Sequence, residues 1–469
     1  MGDTRKLPPA EASLAFEAAI TGRMPATKAV CVALSGGVDS TVLLHVLAPW
    51  ARARGIALSA LHVHHGISAN ADDWAQFCAG RCDALQVPCR IARVDIAPWR
   101  DQGLEAAART ARWEALAQCG VEHLALAHHQ DDQAETVLLQ LLRGAGVPGL
   151  AGMGTERALT PGRSQRGGKL GPHAAAIKPP TVVRPMLAVT RAQIEQFARQ
   201  HGISSICDES NDDVAFTRNY LRHTVMPLLV ARQPGAMGNL ARSARHLAQA
   251  DELLATLGRM DSRRLTKGRS IHLPPLLGFG PARAMNALRT WIRDENARVP
   301  TTAQLEELIR QLVEAQPAAH TAFESDDYEL RRYRDRLYLV GRRMAPSSDV
   351  SAEWNGRKRW PLPSLGGEFT FRRCPADGIA DRWMKPGTIT ARIRAADGGR
   401  IRLNAGGGHR SLKNVFQEAG LPPWERERLP LVYIGGTLAC VPGIGVDLAF
   451  RAGADEVGWL VKWRPQSQV

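Results

Sequence analysis

The sequence predicts an α/β protein: a doubly wound parallel sheet first, then a mainly helical middle domain and a small α+β C-terminal domain. Three observations predict it. Short apolar runs alternate with amphipathic stretches from Lys28 to about Arg143, the pattern of repeated βα units. A Gly-rich turn joins the first apolar run to a helix-forming stretch. After Gly144 the alternation stops; helical periodicity takes over from about Gly235 to Val313, and Gly, Pro and short β-like runs dominate the final part.

Each element has its own signal. Ala29–Leu34 is a continuous apolar run, suited to a strand buried on both faces. A helix is expected from about Thr41 to Arg54, a strand over Ala57–Val63 and a helix over Ala71–Gln86. Cys89–Ile96 reads as a third strand, and Leu104–Gln118 is rich in strong helix formers. Glu122–Ala127 is a fourth strand feeding a helix from about Asp131 to Arg143. Such a sheet places its ligand site beyond the carboxyl ends of its strands. Thr160–Pro180, rich in Gly, Pro and basic residues, reads as a surface loop. Thr190 is a good N-cap for a helix over Arg191–His201. Met237–Leu257 and Pro281–Glu295 are helices, and Glu329–Val340 is a half-exposed strand or hairpin. Ala345–Lys358 is a polar linker or hairpin candidate. The expected domains are 25–225, 226–345 and 386–466, with 346–385 as a connecting segment.

Composition narrows the function. No segment approaches the roughly 20 uninterrupted apolar residues that span a bilayer, and the first 20 residues lack the apolar run of a signal peptide. The expected location is the cytoplasm, with no membrane partner. Lys and Arg number 60 against 46 Asp and Glu, a formal charge of +14, which favours a polyanionic partner. None of the eight cysteines forms a C-x-x-C pair, so they read as small buried hydrophobes rather than metal or persulfide ligands.

The sharpest chemical signal is Ser35-Gly36-Gly37-Val38-Asp39-Ser40, between a buried strand and a helix. Two glycines let backbone amides close on phosphate, Ser35 and Ser40 add hydroxyl donors, and the helix adds its positive end. Asp39 would be repelled by bare phosphate, so a Mg²⁺ ion bridging carboxylate and pyrophosphate is expected. The bland alternative is a capped Gly-rich turn. Asp132 and Glu135 stand at i and i+3, so their carboxylates share one helix face; they either hold a ligand's ammonium or simply offset the helix dipole. The pairs His64-His65 and His128-His129 lack the helical spacing of a zinc site. They read as packing or hydrogen-bonding groups, with nucleotide contact as the reading for His64 and His129. Arg109 and Arg112 are one turn apart and Arg218 and Arg222 are four apart; they suit phosphate or adenylate contact, or merely solvate a helix face. The clusters Arg331–Arg336 and Arg392–Arg402 suit an RNA backbone, while Tyr333 and Tyr338 alternate into a core.

SGGVDS resembles the PP-loop of the ATP pyrophosphatases, and no kinase-type GxxxxGK loop is present. Further segments resemble the tRNA(Ile)-lysidine synthetase family: Leu61-His62-Val63-His64-His65-Gly66-Ile67, where the family usually has Leu at the last position; Ala127 to Thr136 (AHHQDDQAET); Arg143-Gly144-Ala145-Gly146; and Gly149 to Met153. Glu105, Arg109, Arg112 and Trp113 resemble the family's EAxARxxRY helix, with Trp for Tyr. Asp208-Glu209-Ser210-Asn211, Arg218-Asn219-Tyr220-Leu221-Arg222 and Leu412–Leu429 fit as well. The resemblance is weakest at 155–180 and 235–410.

The resemblance implies a PP-loop, HUP-like catalytic domain that binds ATP through Ser35, Gly36, Gly37, Val38, Asp39, Ser40, His64 and His129. It implies that Asp132 and Glu135 bind L-lysine and that Asp39, Asp132, Glu135, Arg109, Arg112 and Arg218 serve catalysis, with Mg²⁺ on Asp39. The implied partner is the isoleucine tRNA with a CAU anticodon, whose wobble cytidine is adenylated and then joined to lysine. A homodimer is compatible with the family. A PP-loop thiolase would need paired cysteines, and an amidotransferase would need a Cys nucleophile elbow. Both patterns are missing. A non-catalytic RNA-binding protein with a relic nucleotide site is the rival of another class; intact Ser35, Asp39, Asp132 and Glu135 argue against it.

Overall fold

The computed structural model describes residues 9–159, 179–207, 214, 216–314, 322–341, 351–393 and 399–465. The expected loop Thr160–Pro180 and the stretch Asp208–Asn211 therefore lie almost wholly outside the described residues, as do 345–350 and 394–398. The chain divides into two compact bodies, Met1–Asp261 with Asn286–Trp291, and Ser262–Met285 with Ile292–Val469.

In the first body, α1 (Pro9–Thr21) precedes β1 (Ala29–Ala33), α2 (Val38–Arg54), β2 (Ala57–His64), α3 (Ala71–Ala84) and β3 (Cys89–Arg93). Then come α4 (Leu104–Ala117), β4 (His123–Ala125), α5 (Gln130–Leu142), α6 (Val147–Leu150), β5 (Glu156–Ala158), β6 (Thr181–Val183) and α7 (Arg191–Gln200). The strands form one sheet in the order β3-β2-β1-β4-β6-β5, parallel except for β5 against β6. The order reverses between β1 and β4, so the loops after those strands open a crevice at the carboxyl edge. Val30 and Val32 of β1 and Leu43, Leu44 and Leu47 of α2 are fully buried, with Ile194 and Phe197 of α7 in the same core. Phe16 of α1 stacks on Phe197 at 4.6 Å. Helix α2 starts at Val38 rather than Thr41, so Asp39 and Ser40 sit in its first turn. Beyond α7 come α8 (Thr217–Tyr220), a π turn over Leu221–Val225, α9 (Met226–Arg232) and α10 (Ala236–Leu265).

The second body opens with β7 (Thr266–Lys267), β8 (Ser270–His272), α11 (Leu273–Leu277), α12 (Pro281–Asp294) and α13 (Thr302–Glu314). Strands β9 (Ala322–Glu324), β10 (Tyr328–Tyr333) and β11 (Arg336–Gly341) follow. The expected hairpin is β10–β11, paired from Tyr328–Gly341 to Tyr333–Arg336. The middle region is thus helices beside a five-stranded sheet, β7-β8-β11-β10-β9. In the hairpin cluster, Arg331 lies over the Trp424 ring, Arg332 Nη1 donates to Leu312 O, Arg334 Nη2 to Gln417 O and Arg336 Nε to Ser270 Oγ. Tyr333 and Tyr338 meet Trp424 edge-on, as packing rather than open stacking platforms.

The expected connector 346–385 carries structure throughout its described part: β12 (Ser351–Glu353), β13 (Arg359–Leu362), β14 (Gly367–Pro375) and β15 (Ile379–Ala380). They share two antiparallel sheets with β16 (Ile389–Arg392), β19 (Leu431–Ile434), β20 (Thr437–Val441), β21 (Gly445–Val446) and β22 (Val457–Pro465). Strand β14 pairs with β22 along its whole length, from Gly367–Pro465 to Pro375–Val457. Between them lie β17 (Arg400–Ile401), β18 (Arg410–Ser411), α14 (Leu412–Glu418) and α15 (Pro423–Arg426). Only β13 and β14 pair locally; β12, β15 and the other edge of β14 pair with strands distant in sequence. Among the described residues no helix is long and apolar enough to cross a membrane.

Candidate active site

The turn after β1 is braced from within. Ser35 N donates to Ser40 Oγ (3.2 Å), Ser40 Oγ donates to Gly37 O (3.1 Å), and the hydroxyls of Ser35 and Ser40 lie 3.0 Å apart. Gly36 adopts φ of 89°, a left-handed value that favours glycine. A Cβ there would meet Ile206 Cδ1 at 2.5 Å, while Ile206 N donates to Gly36 O. Gly36, Gly37 and Val38 therefore shape the loop, while Ser35, Asp39 and Ser40 line a cavity of 660 Å³, a size suited to a nucleotide. The remaining walls come from His64 at the end of β2 and His65 just after it, Arg109 and Arg112 of α4, and His128 and Asp132 around the start of α5.

The histidines divide into distinct roles. His64 lines the cavity and lies 3.2 Å from Asp72 and 3.3 Å from Arg93. His65 Nδ1 is buried without a hydrogen bond, and burial, with Arg112 nearby, pushes its pKa down to about 4. Burial pushes His128 down to about 3 against the pull of Asp132; its Nδ1 accepts from Arg184 Nε at 3.2 Å, which leaves its proton on Nε2. His129, expected at the nucleotide, is 1% exposed and sits among three carboxylates. Its Nε2 is 3.7 Å from Asp39 and 3.5 Å from Asp132, and its Nδ1 is 3.6 Å from Asp131. Burial opposes its charge, but those carboxylates outweigh it and hold its pKa above the ordinary value.

Asp39 Oδ1 is a buried oxygen with no hydrogen bond, and burial raises the pKa of this carboxyl despite His129 and Arg191. An orphaned hard oxygen beside a phosphate-sized loop fits a Mg²⁺ ion that arrives with its own phosphate oxygens. Among the described residues no three His, Cys, Asp or Glu side chains gather as ligands, so the protein alone makes no metal cage.

Asp132 and Glu135 do share one face of α5, buried at its start. Each is bridged by two guanidiniums: Arg218 donates from Nε to Glu135 Oε2 (2.9 Å) and from Nη2 to Asp132 Oδ1 (3.0 Å). Arg222 donates from Nε to Glu135 Oε1 (2.6 Å) and from Nη2 to Asp132 Oδ1 (3.1 Å) and Glu135 Oε2 (3.0 Å). Burial raises the proton affinity of Asp132, but His129, His128 and Arg218 overcome it and keep the carboxyl below its usual range. The structure thus brings Asp39, Asp132, Arg109, Arg112 and the loop around one crevice, with Glu135 and Arg218 joined to it through Asp132 and His129 buried between the carboxylates.

Arg222, expected with Arg218 at phosphate or adenylate, instead meets the carboxylates of Asp132 and Glu135, and two further participants have no role in the sequence reading. Arg184 stands inside the apolar run VVRPML, where a charge is itself a signal; it is buried and also donates to Gly154 O at 2.9 Å. Arg191, whose Nη1 is 3.8 Å from Asp39 and whose backbone N donates to Asp131 Oδ2 at 2.9 Å, had no local signal.

Comparison with known proteins places relatives along nearly the whole chain. A PP-loop domain model matches residues 13–229, a TilS substrate binding domain 272–338 and a TilS substrate C-terminal domain 389–463. The tRNA(Ile)-lysidine synthase of Nitrosomonas europaea is 37% identical over 465 residues, covering 99% of this chain and 98% of the relative. Those of Burkholderia pseudomallei (38%, 94% of each chain) and Alkalilimnicola ehrlichii (39%, 90% of this chain and 91% of the relative) are similar over nearly the same span.

Proposed function

Because the chain belongs to the tRNA(Ile)-lysidine synthase family, we propose that it ligates L-lysine to C2 of the wobble cytidine of the CAU-anticodon isoleucine tRNA. The reaction takes place in the cytoplasm and consumes ATP, releasing AMP and pyrophosphate through an adenylated cytidine. The product switches codon reading from AUG to AUA. The observation that carries this reading is a buried carboxylate pair on α5 whose Asp132 lines the same cavity as Ser35, Asp39 and Ser40 of the phosphate-shaped loop.

The loop amides and the hydroxyls of Ser35 and Ser40 hold the phosphates of ATP, with Arg109 and Arg112 on the opposite wall to meet the nucleotide and the developing negative charge. Asp39 would hold a Mg²⁺ ion, which would supply charge neutralisation for the pyrophosphate. Adenylation of the C2 carbonyl oxygen makes C2 electrophilic. The ε-amine of lysine, oriented by Asp132 and Glu135, attacks it and AMP leaves. The amine must lose a proton first. An Asp132 held ionised suits gripping an ammonium better than removing its proton. The domains 226–345 and 386–466 hold the body of the tRNA, and a homodimer, if formed, is read by light scattering.

The test is incubation with Mg²⁺-ATP, labelled lysine and an unmodified CAU-anticodon isoleucine tRNA transcript. Label enters the tRNA with matching AMP release, and Asp39→Ala or Glu135→Ala abolishes it. AMP formation only with another tRNA or a sulfur donor overturns the substrate; no AMP formation with any RNA overturns the enzyme reading.

A further inference from the structure

The carboxylates assigned to lysine are already neutralised. Asp132 and Glu135, whose side chains are 12% and 4% exposed, face the guanidiniums of Arg218 and Arg222, so two negative charges meet two positive ones. An incoming ammonium would set three cations on two buried carboxylates, an imbalance that desolvation makes costly. One guanidinium must therefore leave. L-Lysine carries its own replacement partner, since its α-carboxylate is a planar anion that a guanidinium binds through two parallel hydrogen bonds.

We propose that Arg222 exchanges partners when L-lysine binds, giving up Glu135 and Asp132 to the side-chain ammonium and taking the α-carboxylate, so that it selects a free amino acid over a simple amine. The proposal rests on the lysine reading above. Two features single out Arg222. It makes three of the five hydrogen bonds that the two arginines donate to the pair, so its withdrawal frees more acceptor positions than that of Arg218, which still bridges both carboxylates. It also sits in the π turn Leu221–Val225, whereas Arg218 lies in the α turn before it. A π turn carries one residue more than an α turn and recurs at functional sites; a one-residue register shift there rotates the side chain about the helix axis.

The experiment compares kcat/KM for L-lysine and for 1,5-diaminopentane, which has both amines and no carboxylate, in joining to the CAU-anticodon transcript. Wild-type protein prefers lysine by roughly 10- to 100-fold, the worth of a charge-assisted pair. In Arg222→Met most of that preference disappears: KM for lysine rises by much more than KM for the diamine, so the ratio of the two kcat/KM values falls toward one. An equal loss for both amines, or an intact preference, overturns the proposal, as does a wild-type protein that uses both equally. If Arg222→Met does not fold, Arg222→Lys takes its place: a single ammonium cannot form the fork, so the preference falls several-fold, and an unchanged ratio overturns the idea. Wild-type protein that joins neither amine overturns the lysine reading itself, an outcome distinct from the others.

Discussion

Gly36 and His128 carry the clearest consequences of single residues. Gly36→Ala places a methyl at a φ of 89° and 2.5 Å from Ile206 Cδ1. It should cost about 1–3 kcal/mol of stability and lower kcat/KM for ATP at least tenfold, read by thermal melting and by AMP release. His128 is neutral in the folded protein down to about pH 3, whereas the unfolded chain binds its proton near the ordinary value of about 6.5. A lowered folded pKa means the stabilisation is complete above that value and is lost as pH falls below it. Melting temperature should therefore drop between pH 6.5 and 5, and His128→Gln should flatten that slope by up to about 1.4 kcal/mol per pH unit. An unchanged slope would show that His128 is not the group taking up the proton. At this scale the sequence was readable where chemistry is local. SGGVDS and the i, i+3 spacing of Asp132 and Glu135 needed only neighbours along the chain. The guanidiniums that meet those carboxylates arrive from more than eighty residues away, and no spacing rule announces them.

Thr190 links one helix to the site. Its Oγ1 accepts from Gln193 N and its N donates to Gln193 Oε1, a reciprocal cap that sets the start of α7 and with it Arg191 beside Asp39. Thr190→Ala should cost about 1 kcal/mol, seen as a lower denaturation midpoint with an unchanged m-value. The βα elements were legible because each buries its own periodic face; β1, α2, α4 and α5 fall within a few residues of their expected bounds. Two features were not. The π turn has no compositional mark, since it is a one-residue change of helical register between α8 and α9 rather than a preference of particular residues. Strands β12, β14 and β15 read as a connector because β16 and β22 lie far along the chain, where no local pattern reveals a register. The β13–β14 hairpin is local, but β13 is too short for its alternation to stand out.

The whole chain carries a net charge of +14, the property that composition alone could tie to a polyanion. Raising salt from 50 to 200 mM should weaken tRNA binding on the order of a hundredfold, with KM for ATP nearly constant; equal sensitivity in both would place the basic excess at the nucleotide instead. Composition could not say where that charge lies. The hairpin cluster Arg331–Arg336, an obvious candidate for the RNA, is largely engaged with protein carbonyls and the Trp424 ring. The pairing of β14 with β22 sets a clock on biosynthesis. A ribosome that has just delivered Pro375 must still thread the chain as far as Val457 before the first rung of that ladder can form, and through Pro465 before the last. During that interval Phe369 and Phe371, both buried in the finished sheet, have their β13-side neighbour Trp360 but none of the β22 residues that cover them on the other edge. Slow decoding between these strands would prolong that exposure, making this stretch a natural client for chaperones that bind nascent apolar segments.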